Sequence, residues 1–132
     1  MKKSIFLIII LFLFSQNSNA SDFSIEFEWG DLELCTTGKP NIVKNPEFIL
    51  KNVPEGTTWI KFRMTDHNSP YNHGGGWAEY KGVDEIESGI FNYQSPCPPD
   101  GKHTYQWTAV AKSKKSDFGS KIGEAKATRE YP

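Results

Sequence analysis

Residues 95–112 read SPCPPDGKHTYQWTAVAK, a proline-rich loop that runs directly into an alternating segment. From Thr104 to Lys112, Tyr105, Trp107 and two alanines fall on one face, and threonine, glutamine and valine fall on the other. Alternation with a period of two, in a segment rich in β-branched and aromatic residues, is typical of a strand. We therefore predict a strand over 104–112 that lies in the centre of a sheet.

Three segments upstream have the same strand-like character. Residues 23–29 alternate apolar with polar side chains, and residues 48–53 are largely apolar up to the turn signal Pro54-Glu55-Gly56. Residues 57–65 alternate again. We predict a strand in each segment, with the second and third as neighbours.

The sequence after the N-terminal apolar run shows no window of a dozen residues with a helical period. Residues 113–130 are polar, and Ile122 and Ala125 are their only candidates for helical contacts. The sequence therefore predicts an all-β domain with little helix. Three punctuated loops separate the predicted strands: 66–70, 72–76 and 95–101. Because rigid strands hold loop residues in place, these loops are where we expect function.

The composition fits one globular domain. The chain has 132 residues, of which 37% are hydrophobic and 14% are aromatic. With 15 basic residues against 16 acidic residues there is no cationic excess, which disfavours nucleic acid and an anionic membrane surface as partners.

The first twenty residues resemble a secretory signal peptide. Lys2 and Lys3 precede an apolar run from Ile5 to Phe14, and Ser18-Asn19-Ala20 places small residues before a cleavage site. Such a run spans only about 15 Å as a helix, roughly half of a hydrocarbon core, so no stable membrane anchor is expected. We predict a signal peptide over 1–20, a single domain over 21–132, and a periplasmic or secreted location.

Cys35 and Cys97 are the two cysteines of the chain. Export to an oxidising compartment favours a disulfide between them, and closing so long a loop stabilises by roughly 4 kcal/mol in the chain-entropy model. The alternative is a reactive thiol, which needs an environment that stabilises the thiolate.

Asp66, His73 and His103 are the polar residues best placed to form a site, because each lies at or near a predicted strand end. Histidine rings bind anions when they are protonated or donate from a neutral ring, and Asp66 can orient one ring. The alternative for each histidine is a half-buried ring bound to a backbone carbonyl. No pair has the short ligand spacing of a specific zinc site, so we expect no metal and no other cofactor.

Four other features carry weaker signals. Gly74-Gly75-Gly76 can present backbone N–H groups to an anion or simply bend the chain. No serine lies in the sequence pattern of a nucleophile elbow. The four tryptophans favour core packing over a sugar-binding face. The lysines at 112, 114 and 115 predict a solvated turn, since three charges are too few for a lipid-headgroup patch.

Three segments occur in a distinctive order: NVPEGT at 52–57, DHNSP at 66–70 and SPCPPDGKHTY at 95–105. Together they resemble the phosphatidylethanolamine-binding protein (PEBP) family, which includes the bacterial Raf-kinase-inhibitor-like proteins. The last segment is similar to the family motif Gly-Pro-Cys-Pro-Pro-x-Gly-x-His-Arg-Tyr, and the second to Asp-Pro-Asp-Ala-Pro. The resemblance implies a compact β-sandwich with a small anion pocket at one end.

The resemblance also implies a set of ligand-binding residues: Asp66, His73, His103, Tyr105, Pro98 and Pro99. The two prolines would form part of the rim, and Pro70 would end the loop that carries Asp66. His73 would replace a pocket histidine that the family carries on a following strand.

The chain departs from the family pattern in three ways. Asn68 stands where the family has a second Asp, and His67 stands where it has Pro. The chain is also shorter than most members, which implies the loss of a strand or of the C-terminal helix.

The predicted function is that of an exported, non-catalytic PEBP-like protein that binds a small anionic ligand, either a phosphate ester or a lipid headgroup. Two other classes stay open. The same Asp and His pair would act as general base and acid in a small hydrolase. The proline-rich loop would contact a protein partner in an interaction or inhibitor module. If His73 or His103 contacts the anion, binding should tighten as pH falls from about 8 to 6.

Overall fold

The computed structural model describes residues 22–132, which form antiparallel strands and no α-helix. The strands are β1 Ser24–Phe27, β2 Ile42–Lys44, β3 Phe48–Lys51, β4 Trp59–Asp66, β5 Ser69–Glu79, β6 Glu85–Ile86, β7 Asn92–Gln94, β8 His103–Lys112 and β9 Lys121–Tyr131. The all-β prediction is therefore confirmed for this part of the chain. The predicted signal peptide lies outside the described residues.

Strand β8 is an interior strand of a four-stranded sheet with the order β5-β4-β8-β9, as the sequence predicts. It pairs with β4 from Trp59 opposite Lys112 to Asp66 opposite Tyr105. Its alternate residues from Tyr105 to Ala111 are buried. The start of β8 therefore lies beside the end of β4, and this edge of the sheet carries the candidate site.

A second layer packs against this sheet and encloses the core. It contains the sheet β1-β3-β6 and the two-stranded sheet β2-β7. The predicted pairing of β3 with β4 is wrong, because the two strands belong to different sheets. Phe48 of β3 instead stacks on Phe62 of β4 across the core, with ring centroids 4.4 Å apart, and its ring edge meets Trp107 at 5.2 Å.

Most of two predicted loops, 66–70 and 72–76, belongs to strands β4 and β5. Asp66 pairs with Ser69, so the chain turns through His67 and Asn68 alone, and β5 begins at once. Pro70 therefore lies within β5 and does not end a loop. It is tolerated there because β5 is an edge strand, where a missing N–H need not break a ladder.

The glycine run is also part of β5 and not a loop. A Cβ atom on Gly75 would lie 1.9 Å from the carbonyl oxygen of Phe62, and one on Gly76 would lie 2.5 Å from the side chain of Phe91. These glycines let two backbones and a ring approach closely. Close packing thus accounts for Gly75 and Gly76, where the sequence left open an anion-binding loop or a bend of the chain.

The polar segment after residue 112 forms β9, which the sequence pattern did not indicate. It pairs with β8 along nearly its whole length, from His103 opposite Tyr131 to Lys112 opposite Lys121. Ala125 and Tyr131 are its buried residues.

The predicted disulfide is confirmed, and Cys35 is joined to Cys97. The preference of tryptophan for the core holds fully for Trp107, whereas Trp29, Trp59 and Trp77 are half-buried. Within residues 22–132 there is no helix of the length and apolarity needed to cross a membrane.

Candidate functional site

The structure brings Asp66, His73, His103 and Tyr105 together at one edge of the four-stranded sheet. Nδ1 of His103 lies 2.7 Å from Oδ2 of Asp66. The ring centroids of His73 and Tyr105 are 5.4 Å apart, and those of His103 and Tyr105 are 6.1 Å apart. Tyr105 thus lies between the two imidazoles. The antiparallel pairing of β4 with β8 produces this arrangement, because it sets Asp66 opposite Tyr105.

A β-bulge in β5 puts His73 in this cluster. As β4 advances from Arg63 to Thr65, its partner on β5 changes from Gly75 to Asn72, so β5 carries one extra residue. Gly74 takes a φ of +73° within the bulge. Bulges redirect side chains, and His73 is only 2% exposed here although the residue before it is exposed.

Asp66 is a fixed and buried carboxylate. Its side chain is 4% exposed. Oδ1 accepts a hydrogen bond from the backbone N–H of Asn68 at 2.8 Å, and Oδ2 accepts from His103. Asn68, which stands where the family has a second Asp, accepts from the backbone N–H of Thr104 at 2.9 Å. The side chain of Asn68 therefore ties the turn to the start of β8.

His103 has a carboxylate at each ring nitrogen. Nε2 lies 2.7 Å from Oδ1 of Asp100, on the side away from Asp66. The hydrogen bond to Asp66, reinforced by that to Asp100, raises the pKa of His103 above its usual 6.5 in spite of desolvation. Because both nitrogens donate to carboxylate oxygens, this arrangement favours the imidazolium.

His73 is a neutral ring. Nδ1 donates to the backbone carbonyl of Gln94 at 2.8 Å. Burial lowers the pKa of His73, although the Gln94 hydrogen bond and the charge of Asp66 oppose that shift. With the hydrogen on Nδ1, the neutral ring keeps Nε2 as an acceptor. His73 therefore cannot donate to an anion in this tautomer, and the alternative of a ring bound to a backbone carbonyl describes it well.

Tyr105 contributes a protonated phenol. The residue is 1% exposed, and burial, together with the negative charge of Asp66, raises its pKa. The rim prolines differ from each other, since Pro98 is fully buried and Pro99 is exposed. Pro99 packs against Gly38 beside the disulfide.

Two hydrogen bonds hold the start of the proline-rich loop, one at Ser95 and one at Cys97. The backbone N–H of Gly38 donates to the carbonyl of Cys97 at 3.0 Å. The hydroxyl of Ser95 accepts from the backbone N–H of Asn41 at 3.0 Å. The loop that carries Asp100 is therefore anchored to residues 35–41, and Ser95 has a structural role in it.

Asp100 is the site residue that sequence reasoning missed. Its side chain is 74% exposed, whereas that of His103 is 10% exposed. The available signal was its spacing, since a carboxylate three residues before a histidine in a tight loop can reach the ring. Asp66, Asp100 and an imidazolium at His103 together carry one net negative charge. Asp100 occupies Nε2, the ring nitrogen that faces away from Asp66.

The structure holds no group of three or more His, Cys, Asp or Glu side chains arranged to bind a metal ion within residues 22–132. A cleft of about 1260 Å³ opens between residues 25–33 and 41–47, but Asp66, His73, His103 and Tyr105 do not line it.

Comparison with solved structures supports the fold expected from the sequence. A phosphatidylethanolamine-binding protein homolog from Chlamydia trachomatis superimposes with a TM-score of 0.58 and 15% identity, over 84% of this chain and 97% of that chain. Escherichia coli YbcL, described as a member of the mammalian PEBP family, superimposes with a TM-score of 0.57 and 17% identity, over 84% of this chain and 98% of that chain. No family model and no curated protein sequence matches the chain. At these identities the likeness establishes a PEBP fold and leaves the ligand to be argued from the site.

Proposed function

We propose that this protein is exported and binds a small anionic ligand, a phosphate ester or a lipid headgroup, at His103 without turning it over. One observation carries the proposal: Nε2 of His103 already holds a carboxylate oxygen supplied by an exposed loop residue. A ring nitrogen that binds one anionic oxygen at 2.7 Å offers the same donor to another. Replacement of Asp100 by the ligand leaves the Asp66–His103 pair intact beneath it.

The neighbouring groups support binding over catalysis. Asp66 is committed to two hydrogen bonds, and the raised pKa of Tyr105 keeps its phenol protonated and therefore a poor base. The hydroxyl of Ser95 is engaged with Asn41. Hydrolysis needs an activated nucleophile within reach of a general base, and these residues do not supply one. The disulfide and the sequence of residues 1–20 support export.

The test is an NMR titration of the oxidised protein with inorganic phosphate and with phosphoethanolamine. Saturable shifts are expected in the backbone signals of Asp66 and Asp100 and in the ring signals of His103. His103→Gln should abolish them. His67→Gln is the matched control, because His67 is exposed and its Nε2 contacts the side chain of Gln106. The absence of shifts at millimolar ligand would contradict the proposal.

The two ligands distinguish a site for the phosphate group alone from a site for a lipid headgroup. Equal affinity for both would indicate a site for the phosphate group alone. Tighter binding of phosphoethanolamine would indicate that the displaced carboxylate of Asp100 also meets the ammonium group. Turnover of a phosphate ester that is lost in His103→Gln would favour the hydrolase instead.

A further inference from the structure

The loop between β8 and β9 presents a fully exposed aromatic ring among lysines. Phe118 is 101% exposed, the highest value among the exposed large hydrophobic residues of the described chain. Lys114, Lys115 and Lys121 flank it in sequence, and all three are exposed. A single exposed apolar side chain is normal at a protein surface, so Phe118 points to a partner only together with the aromatic and basic residues beside it.

The ring is held outward by a folded turn. The buried ammonium of Lys112 donates to the carbonyls of Asp117 and Gly119 on either side of Phe118. The backbone N–H of Phe118 donates to the hydroxyl of Ser116 at 3.2 Å. The lysine at 112 thus supports the turn and does not belong to its charged surface.

The adjoining face of the sheet extends the surface with amphipathic residues. The ammonium of Lys115 lies 4.9 Å from the ring centroid of Trp59, and that of Lys61 lies 5.4 Å from the ring centroid of Trp77. Both tryptophans are half-buried. Tryptophan is enriched at membrane–water interfaces, and basic residues near such an interface are attracted to anionic headgroups.

The charge of this surface is the opposite of that of the whole chain. Six cations and three carboxylates lie on this loop and on the outward face of the sheet beside it: Lys61, Arg63, Lys114, Lys115, Lys121 and Lys126 against Glu79, Asp117 and Glu124. Lys114, Lys115 and Arg63 take part in no ion pair within residues 22–132. The whole chain has a net charge of −1. The sequence-based expectation counted only three lysines, whereas folding adds Lys61 and Arg63 from β4.

We infer that this surface docks the protein on an anionic lipid bilayer, with Phe118 entering the interface and the lysines meeting the headgroups. A bilayer is favoured over an acidic polysaccharide, because the faces of Trp59 and Trp77 that would stack on sugars are covered by ammonium groups. The docking surface lies at the Lys112 end of β8, about 30 Å from His103 at the other end. It therefore does not depend on the proposed anion site.

The test is sedimentation of the protein, as isolated from cells, with vesicles of phosphatidylcholine and phosphatidylglycerol and with vesicles of phosphatidylcholine alone. Binding is expected only with the anionic vesicles. Phe118→Ser should weaken it about tenfold. Lys114→Gln and Lys115→Gln should each weaken it about fivefold. In Phe118→Trp, the added tryptophan emission should shift to shorter wavelength on the anionic vesicles.

Matched controls come from the opposite end of the sheet. Leu34→Ser removes another exposed apolar side chain, 73% exposed, and Lys39→Gln with Lys102→Gln removes two exposed charges. These variants should bind like the parent, and all share its N-terminus. Equal binding by Phe118→Ser and Leu34→Ser, or an unshifted emission in Phe118→Trp, would overturn insertion. Loss of binding in the lysine variants alone, with competition by heparin, would identify an acidic polysaccharide and overturn the membrane proposal.

Discussion

Nε2 of His103 lies 2.7 Å from Oδ1 of Asp100, so the outward nitrogen of the candidate site holds a carboxylate from the same chain. Asp100 lies in the loop that Cys97 anchors to residues 35–41. Its side chain is mostly in solvent, whereas Asp66 on the other side of the ring is buried. One carboxylate is thus a buried partner of His103, and the other is the exposed partner that we propose a ligand replaces.

Replacement of Asp100 by Asn should tighten phosphate binding. The variant keeps the size of the side chain but removes the negative charge that competes for Nε2. We expect affinity to increase by about tenfold, the equivalent of one charge-assisted hydrogen bond no longer broken on binding. Titration calorimetry at pH 6, where His103 is charged in both proteins, measures the change. Asp84→Asn is the control, and unchanged or weaker binding in Asp100→Asn would show that Asp100 does not compete.

Anion binding should depend on pH through His103 and not through His73. Because the pKa of His103 is raised above 6.5, the part of the affinity that His103 supplies should be fully present below pH 6.5 and be lost as pH rises through the higher value, with the titration of phosphate itself measured separately. His73 is held neutral by burial, which lowers its pKa, so its titration lies below pH 6.5. NMR of the ring protons with and without phosphate distinguishes the two histidines. A binding profile that follows the His73 titration would contradict this assignment.

The same shifts fix the sign of the pH dependence of stability. The raised pKa of His103 contributes stability that is fully present below pH 6.5 and is lost as pH rises through its folded-state pKa. The lowered pKa of His73 contributes stability that is present above pH 6.5 and is lost as pH falls through its folded-state pKa. His103→Gln should remove the loss of stability on the alkaline side, and His73→Gln should remove the loss on the acidic side. Urea denaturation of each variant across pH measures both effects. A His103→Gln protein that still loses stability on the alkaline side would assign that loss to another group.

The strands that sequence predicts best have inward faces of large apolar residues. Strand β8 alternates Tyr105 and Trp107 with polar residues, and its position follows from that pattern. Strand β9 was not predicted, because its inward positions include Gly123, Ala125 and Ala127, which give little contrast in hydrophobicity. Small residues suffice there, since Ala125 lies opposite Ala109 of β8 and Ala127 opposite Trp107.

The residues predicted for the site come from motifs and strand ends, whereas the burial of His73 and the contact of Asp100, the residue that was missed, rest on tertiary structure. Asp66, His103 and Tyr105 lie in motifs that occur in the order found in the PEBP family, and the strands β4 and β8 that carry them are adjacent. The burial of His73 depends on a bulge, and the role of Asp100 depends on how the anchored loop turns toward the ring. Periodicity carries no information on either feature. The resemblance to PEBP proteins supplied the fold, as the superpositions confirm.

Substitution of Gly75 by Ala should destabilise the domain far more than substitution of Gly74. A Cβ atom at position 75 would lie 1.9 Å from the carbonyl oxygen of Phe62, so β5 must leave β4. A Cβ atom added at Gly74 would meet no other atom within 4 Å. The loss of unfolding free energy there is that of an alanine at positive φ, about 1 kcal/mol. We expect Gly75→Ala to lose at least about 3 kcal/mol of unfolding free energy. Equal losses in urea denaturation would show that β5 adjusts to the added methyl group.

Loss of the disulfide should lower stability without unfolding the sheet. The bridge joins residues separated by 62 positions, and in the chain-entropy model its removal costs about 4 kcal/mol. The double variant Cys35→Ser with Cys97→Ser should therefore have a lower urea midpoint, and reductant should lower the midpoint of the parent to the same value. Reductant should leave the variant unchanged. If reductant has no effect on the parent either, then the hydrogen bonds of Ser95 with Asn41 and of Gly38 with Cys97 hold the loop by themselves. In that case Asp100 would remain at His103 in the reduced protein, and phosphate affinity would not change on reduction.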